Sequence, residues 1–100
     1  MLDLMRLTVF IHAAESKNFS QAAKELHITQ PTVSHHIKAL EQDIGKTLFD
    51  RGGQRLQLTE AGRLLLPWAR KLVRESIELQ EMMASIEEKI VGQLHIACST

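Results

Sequence analysis

The stretch from Ile28 to Glu41 constrains the fold more than any other part of the chain; it reads ITQPTVSHHIKALE. Apolar residues recur in and just after it at about 100° per residue, the spacing of one helix face. They are Val33, Ile37, Leu40 and Ile44. Thr29 is suited to cap this helix through its hydroxyl, and Pro31 fits a first turn that needs no backbone donor. The pattern predicts a helix that begins near Gln30, ends before Gly45 and buries one face.

The opposite face of this predicted helix is polar. It consists of small and hydrogen-bonding residues: Pro31, Thr32, Ser34, His35, Lys38 and Gln42. The start of the helix leaves free N–H groups and the positive end of the helix dipole beside Gln30 and Thr32, and this arrangement suits a phosphate. Gln, Ser, Thr and Lys side chains can pair with base edges in DNA. We interpret this face as a recognition surface, although an ordinary solvated helix face explains the same pattern when the helix is taken alone.

Composition limits the remaining possibilities. One hundred residues with 44% hydrophobic content fit one small globular domain with an extension. The formal net charge is zero, so a basic footprint requires folding to gather the basic residues of one segment. These residues are Lys38, Lys46, Arg51 and Arg55. The single cysteine, Cys98, excludes an internal disulfide, and we find neither a signal peptide nor a long apolar run. We therefore expect a soluble, cytoplasmic protein that does not enter a membrane.

Two helices are predicted before the recognition helix. Apolar residues at helical spacing, beginning with Leu4 and Leu7, indicate a first helix over about residues 2–15. Ser20 is predicted to cap a second helix, over about residues 20–27. Only three residues, 27–29, then precede the third helix, and this length suits the crossing of a helix-turn-helix.

A short β-hairpin is predicted after the third helix. Gly52 and Gly53 supply its turn, and the alternating Leu56 and Leu58 are predicted to face the core. Arg51 and Arg55 flank the tip. After a helix-turn-helix, such a hairpin is interpreted as a wing that contacts DNA. The alternative is a surface turn that keeps its charges in water.

The chain then favours a long helix, which Thr59 can cap and which has helical composition through about residue 91. Residues at a/d spacing recur along it for nearly four heptads. They are Leu65, Ala69, Leu72, Ser76, Leu79, Met83, Ile86 and Ile90. Because the chain has no second helix of matching length, we expect this seam to pair with a second copy. Pro67 is predicted to kink the helix near Arg63, and Trp68 to anchor it to the core.

The last nine residues, GQLHIACST, change pattern. Gly92 is predicted to end the long helix, and Leu94, Ile96 and Cys98 alternate like a strand. Because a lone strand is unstable, this segment is interpreted as the start of a further domain. The predicted organisation is a winged helix-turn-helix domain over 1–58, a linker and dimerisation helix over 59–91, and the beginning of an effector-binding domain over 92–100.

The whole arrangement closely resembles the N-terminal part of LysR-type transcriptional regulators over essentially all 100 residues. The stretches that carry the resemblance are LTVFIHAAESKNFSQAAKELHITQPTVSHHIKALEQDIGKTLF, DRGGQRLQLTEAG, LLPWAR and GQLHIACST. The resemblance implies a mainly α-helical fold, a winged helix-turn-helix with a long dimerisation helix. It also implies a partner, double-stranded operator DNA, bound by a homodimer or within a homotetramer. A small-molecule effector would act only through the domain after residue 92.

The resemblance also assigns roles to individual residues. Five residues match the start of the family's recognition helix: Thr29, Gln30, Pro31, Thr32 and Ser34. Arg51 matches a commonly basic wing position. His35 stands where many members have arginine, and Gln54 stands at an often basic position, so we expect a different base preference. Ser99 and Thr100 match hydroxyl residues that line the ligand site in several members. The expected DNA contacts are Ser20, Thr29, Gln30, Pro31, Thr32, Ser34, His35, Lys38, Arg51, Gln54 and Arg55.

Catalysis and metal binding find no support in the residue pattern. His35 and His36 are adjacent, so on a helix they point about 100° apart, which is poor geometry for chelation. We expect no enzyme activity, no metal and no cofactor. The alternative from another class is a winged module that binds proteins and oligomerises without reading DNA. The two differ in that DNA binding should weaken steeply as salt rises.

Overall fold

The computed structural model describes residues 2–53 and 55–97, with side chains as far as Ile86. The elements in this part are α1 (Leu4–Ser16), α2 (Phe19–Leu26), α3 (Gln30–Ile44), β1 (Phe49–Asp50), β2 (Gln57–Leu58) and α4 (Glu60–Ala97). The two strands form an antiparallel hairpin. The mainly helical class with a small wing is therefore confirmed.

Asn and Asp side chains cap the first two helices. The carboxylate of Asp3 accepts from the Met5 N–H at 2.8 Å, at the start of α1. The amide oxygen of Asn18 accepts from the N–H groups of Ser20 and Gln21, at 2.8 and 3.2 Å. The prediction that Ser20 caps α2 is therefore wrong. Asn18 is the cap because α2 already begins at Phe19, which packs against the core, and Ser20 is therefore an exposed residue of the first turn.

The first three helices end at residues in the left-handed conformation, in which the chain turns sharply. These are Lys17 (φ 54°), His27 (φ 58°) and Gly45 (φ 77°). The N–H of Gly45 donates to the carbonyl of Glu41 at 2.7 Å, as predicted for the end of α3. The turn at His27 compresses the connection between α2 and α3 into three residues. The recognition helix is therefore held close to α2.

One apolar core lies between the helices and the wing. On α3, Val33, Ile37 and Leu40 are completely buried and Ile44 is half-buried, which confirms the predicted stripe. Leu56 and Leu58 of the wing are half-buried against the same core, as predicted. Complete burial of a Val, Leu or Ile side chain stabilises the fold by roughly 1.5–3 kcal/mol. The orientation of the outer face of α3 is therefore fixed by the packing of its inner face.

Side-chain pairs tie α1 to its neighbours. They are Arg6 with Asp43 of α3 (2.6 Å), His12 with Glu25 of α2 (2.9 Å) and Glu15 with Arg70 of α4 (3.1 Å). The hydrogen bond with His12 holds the pKa of the Glu25 carboxyl below its ordinary value. Exposed pairs of this kind contribute little to stability, because water screens them and their side chains lose freedom. They orient α1, whereas stability comes from the buried residues.

The first turns of α4 belong to the core. The hydroxyl of Thr59 accepts from the Gly62 N–H at 3.1 Å, which confirms the predicted cap. Trp68, however, is 57% exposed, with the Lys71 ammonium 5.3 Å from its ring centroid. The prediction that Trp68 anchors the helix is therefore wrong. The buried contact is made by Ala69, whose small side chain allows α4 to approach the core closely.

Gly62 allows α4 to lie directly against the chain before and after the wing. A Cβ at this position would collide with the carbonyl oxygen of Leu48 and lie 2.8 Å from a methyl carbon of Leu58. We expect Gly62→Ala to lower the free energy of unfolding by about 1–3 kcal/mol, despite alanine's better helix propensity. Urea unfolding measures this loss. Gly53→Ala is the matched control, since nothing lies within 4 Å of its Cβ position. Equal midpoints for the two variants would contradict the close packing at Gly62.

The end of α4 differs from the sequence prediction. The helix continues to Ala97, so the predicted end at Gly92 and the strand from Leu94 are wrong. A helix satisfies its own backbone hydrogen bonds, whereas a strand requires a neighbour, and a single glycine costs a helix only about 1 kcal/mol. Cys98 lies outside the described residues. The division of domains at residue 92 and the kink near Arg63 stay predictions.

Beyond Val73, α4 projects away from the core. The molecule measures 68 × 25 × 19 Å, and 38 helical residues at 1.5 Å each account for roughly 57 Å of its length. Among the described residues, no helix combines the length and the apolar character needed to cross a membrane.

Candidate nucleic-acid interface

The outer face of α3 is polar and open to solvent, as predicted. Four of its residues are exposed and two are half-exposed: Pro31, His35, Lys38 and Gln42, and then Thr32 and Ser34. The rings of His35 and His36 lie 6.1 Å apart between centroids and at 64° to one another. This face presents hydrogen-bonding groups without a large apolar side chain. It has the character of a helix face that can enter a groove of DNA.

The beginning of α3 is organised by Thr29. Its hydroxyl accepts from the Thr32 N–H at 3.3 Å and forms a second bond with the Thr32 hydroxyl at 2.7 Å. The predicted cap by Thr29 is therefore confirmed, and it occupies the Thr32 N–H. The N–H of Val33 also donates within this turn, to the Thr29 carbonyl. Pro31 has no N–H, so the Gln30 N–H is the first-turn donor that remains for a phosphate.

Gln30 and Ser34 are joined along the exposed face. The side-chain amide of Gln30 donates to the Ser34 hydroxyl at 3.1 Å, one turn further on. An amide has two donors and an acceptor oxygen, so this bond leaves one N–H and the oxygen for an outside partner. Gln30 is therefore held along α3 while it keeps the two groups that a bidentate contact to adenine requires.

The two wing arginines differ in their surroundings. The guanidinium carbon of Arg51 lies 5.0 Å from the centroid of the Phe19 ring. Arg55 instead lines an open surface cleft of about 280 Å³ together with Lys17 and Arg63. At the tip, the carboxylate of Asp50 accepts from the Gly52 N–H at 3.0 Å. Gln54 lies outside the described residues.

Lys17 and Arg63 are candidate contacts that the sequence pattern did not reveal. They come from the end of α1 and the first turn of α4, so only the tertiary fold brings them to the cleft of Arg55. Among the described residues, none that lines this cleft carries a carboxylate, although Asp50 lines a second open cleft together with Arg55. Lys38 and Lys46, by contrast, line a separate shallow cleft that also contains Glu41. The basic residues from 38 to 55 are therefore divided between these two clefts and the contact of Arg51 with Phe19, and the cleft of Arg55 also includes residues from outside that segment.

A second candidate surface is an apolar stripe along α4. Its side chains are 38–70% exposed and, at 100° per residue, fall within an arc of roughly 100°. They are Leu64, Trp68, Leu72, Leu79, Met82, Met83 and Ile86. We call this set the α4 stripe. An exposed apolar patch of this extent on a small domain marks an interaction surface.

Burial excludes one residue, Ala69, from the predicted dimer seam, and the rest of the seam stays a prediction. Ala69 is completely buried in its own core and Leu65 is half-buried against it, so Ala69 is not available to a partner. Their neighbours Leu64 and Trp68 are exposed instead. Ser76, also in the predicted seam, is half-exposed. The side chain of Ile90 lies outside the described residues, as do Ser99 and Thr100, the predicted effector contacts.

Comparison with known proteins decides the family. The model of the bacterial regulatory helix-turn-helix proteins of the lysR family matches residues 4–63, which include α1, α2, α3 and the wing. The chain belongs to the LysR family. The match confirms the resemblance inferred from the sequence, and it extends from the first helix of this LysR-family chain into the first turn of α4.

Its relatives are regulators by name. An uncharacterized HTH-type transcriptional regulator of Azotobacter vinelandii, from the ibpB-leuC intergenic region, is 42% identical over 98 residues, which are 98% of this chain and 68% of that protein. The HTH-type transcriptional activator IlvY of Salmonella typhimurium is 36% identical over 98 residues, which are 98% of this chain and 33% of that protein. The LysR-family chain thus spans about a third of the length of IlvY.

Solved structures of similar proteins include complexes with DNA. The BenM DNA-binding domain, in complex with benA site 1 DNA, has a TM-score of 0.80 and 30% identity, over 85% of this chain and 96% of that one. Vibrio fischeri DarR, also in complex with DNA, has a TM-score of 0.85 and 33% identity, over 88% of this chain and 30% of that one. The winged helix-turn-helix fold of this chain is therefore one that binds DNA in related proteins.

Proposed function

We propose that this LysR-family chain is the DNA-binding part of a transcriptional regulator, with α3 as the helix that reads the operator. The observation that carries the proposal is that α3 buries one face in the core and exposes its opposite, polar face to solvent. Val33, Ile37 and Leu40 on its apolar face are completely buried, and this packing fixes the orientation of the exposed polar face, which begins with Gln30. The DNA complexes of BenM and DarR support the same use of this fold.

Base readout is assigned to the exposed face of α3. The major groove, about 12 Å wide, admits a helix, and each base pair presents a distinct pattern there. Gln30 is suited to adenine, Lys38 to guanine, and the methyl group of Thr32 to thymine. Pro31, Ser34 and His35 complete the face that would lie against the bases.

Contacts to the phosphates hold this face in register. Ser20 lies exposed in the first turn of α2, and Thr29 lies exposed at the start of α3, so both are placed where helix ends attract phosphate. Arg55, with Lys17 and Arg63 beside it, supplies positive charge at the wing. These contacts would add affinity without distinguishing sequences.

Self-association is assigned to the α4 stripe. An exposed apolar surface on a helix that extends beyond the core is best buried against an identical stripe. Two copies would then place two recognition helices on one duplex, about one helical turn apart or a multiple of it. Residues from 92 onward would connect to an effector-binding domain. The complete regulator would be cytoplasmic, would act without catalysis, and would work as a dimer or tetramer.

A mobility-shift titration at several salt concentrations tests the proposal. We expect binding to duplex DNA whose logarithm falls linearly with the logarithm of salt, with a slope of about −0.9 for each phosphate neutralised. Sequences selected from a random pool should bind at least about a thousandfold more tightly than random duplex. Equal affinity for selected and random sequences would contradict base readout, and absence of binding at low salt would favour a protein-interaction module.

A further inference from the structure

Arg51 packs against an aromatic ring of its own chain, and a role as a simple phosphate contact does not explain this packing. Its guanidinium lies over the face of the Phe19 ring, 5.0 Å from the centroid. An arginine in this position is attracted by the negative face of the ring. Within the described side chains, no carboxylate lies at ion-pair distance from Arg51. The aromatic ring of α2 is therefore the partner that fixes this wing residue.

The ring beneath Arg51 is connected to the centre of the core. Phe19 meets Phe49 edge to face, at 5.3 Å between centroids, and Phe49 meets Phe10 in the same way at 5.5 Å. These are the three phenylalanines of the sequence. Phe10 and Phe49 are buried, so Phe19 cannot shift without disturbing them. The ring that Arg51 contacts is therefore held in place by edge-to-face contacts with the aromatic residues of the core.

The wing needs such a support. Its strands have two residues each, and the connecting loop spans residues 51–56. A hairpin of this size is at best marginally stable alone. The bond between Asp50 and Gly52 shapes the tip, yet both residues lie within the wing. Arg51 reaches outward to α2, and α2 is joined to α3 by only three residues.

We propose that Arg51 is a positioning residue, which clamps the wing to α2 through Phe19 and so fixes the place of Arg55 relative to α3. The proposal rests on the proposed function, because it names what sets the distance between the wing contact and the recognition helix. In this arrangement Arg51 acts on DNA through the wing. If Arg51 acted only as a phosphate ligand, removing the Phe19 ring would leave DNA binding unchanged.

The first test needs no DNA. In two-dimensional NMR spectra of the 15N-labelled chain, Arg51→Ala should shift and broaden the amide signals of Gly52 and Gly53, because the wing loses its tie to α2. Phe19→Leu should move the same signals in the same direction, whereas Phe19→Tyr, which keeps the ring, should leave them near their original positions. Arg55→Ala is the matched control, since it removes a wing cation that does not contact Phe19. Unchanged glycine signals in Arg51→Ala would overturn the clamp.

The second test measures affinity for a selected duplex as a function of salt. Phe19→Leu should weaken binding about two- to fivefold, the equilibrium equivalent of an exposed cation–π contact, with an unchanged salt slope because no cation is lost. In an Arg51→Ala background the same substitution should have no further effect. Independent, multiplicative losses from the two substitutions would overturn the proposal. Absence of DNA binding by every variant would instead refute the proposed function, while the glycine signals still decide the clamp.

Discussion

Replacing Leu72 and Leu79 together by aspartate should convert the proposed dimer into monomers and weaken binding to a two-half-site operator by roughly a hundredfold or more. Both side chains lie in the α4 stripe, 38% and 54% exposed in the single chain. Buried between two helices, the aspartates would be charged groups without partners, which is strongly unfavourable. Each monomer would then bind its half-site alone and lose the effective concentration that linkage provides. Sedimentation velocity and titration of the operator measure the two effects.

Ile77→Asp is the matched control for this prediction. Ile77 is 51% exposed on the same helix, but at 100° per residue it lies roughly 140–160° around the axis from Leu72 and Leu79. We expect Ile77→Asp to remain dimeric and to bind the operator normally. If the control dissociated while the double variant stayed dimeric, the interface would have to lie on the opposite side of α4.

The correction of the seam shows where sequence spacing is insufficient. Residues 64, 65 and 66 are all leucine, so several heptad registers fit the first turns of α4 equally well. Only the fold shows which side of the helix the protomer's own core occupies. The core takes Leu65 and Ala69, and the α4 stripe therefore begins at Leu64 and Trp68. Further along, where α4 leaves the core, Leu72, Leu79 and Ile86 are exposed as the seam predicted.

Local patterns were sufficient for the recognition helix. In α3 the apolar period, the Thr29 cap, Pro31 in the first turn and the left-handed Gly45 all indicate the same helix, and each is confirmed. At α2 the local pattern was ambiguous because Asn18 and Ser20 are both good caps. The choice depends on where α2 begins, and the packing of Phe19 against the core and against Phe49 places that start at residue 19.

Features that depend on distant residues could not be predicted. The cleft of Lys17, Arg55 and Arg63 combines three separate elements, and a net charge of zero gives no indication of it. The clamp of Arg51 likewise needs the ring of Phe19, 32 positions earlier. The residues after 92 alternate like a strand, yet α4 continues through them to Ala97 because a strand depends on a neighbouring strand for its hydrogen bonds.

Gln30→Ala should cost roughly 1–3 kcal/mol on the selected operator and relax the preference at one base position. The side chain lies exposed at the start of α3, held by Ser34, with one N–H and its oxygen free for a base. Alanine removes both groups and leaves the apolar face of the helix intact. Binding to random duplex should change little, because that binding depends on phosphate contacts. Selection from a random pool, repeated with the variant, identifies the relaxed position.

Arg55→Ala should weaken DNA binding without relaxing the preference at any base position, in contrast to Gln30→Ala. Its charge lies at the wing beside Lys17 and Arg63, so its loss should weaken binding to selected and random DNA by the same factor. The salt slope should decrease in magnitude by about one, because one fewer phosphate is neutralised. The two variants therefore separate base readout from phosphate contact within one protein. Equal losses on selected and random DNA for Gln30→Ala, or a lost base preference for Arg55→Ala, would reverse the roles assigned to α3 and the wing.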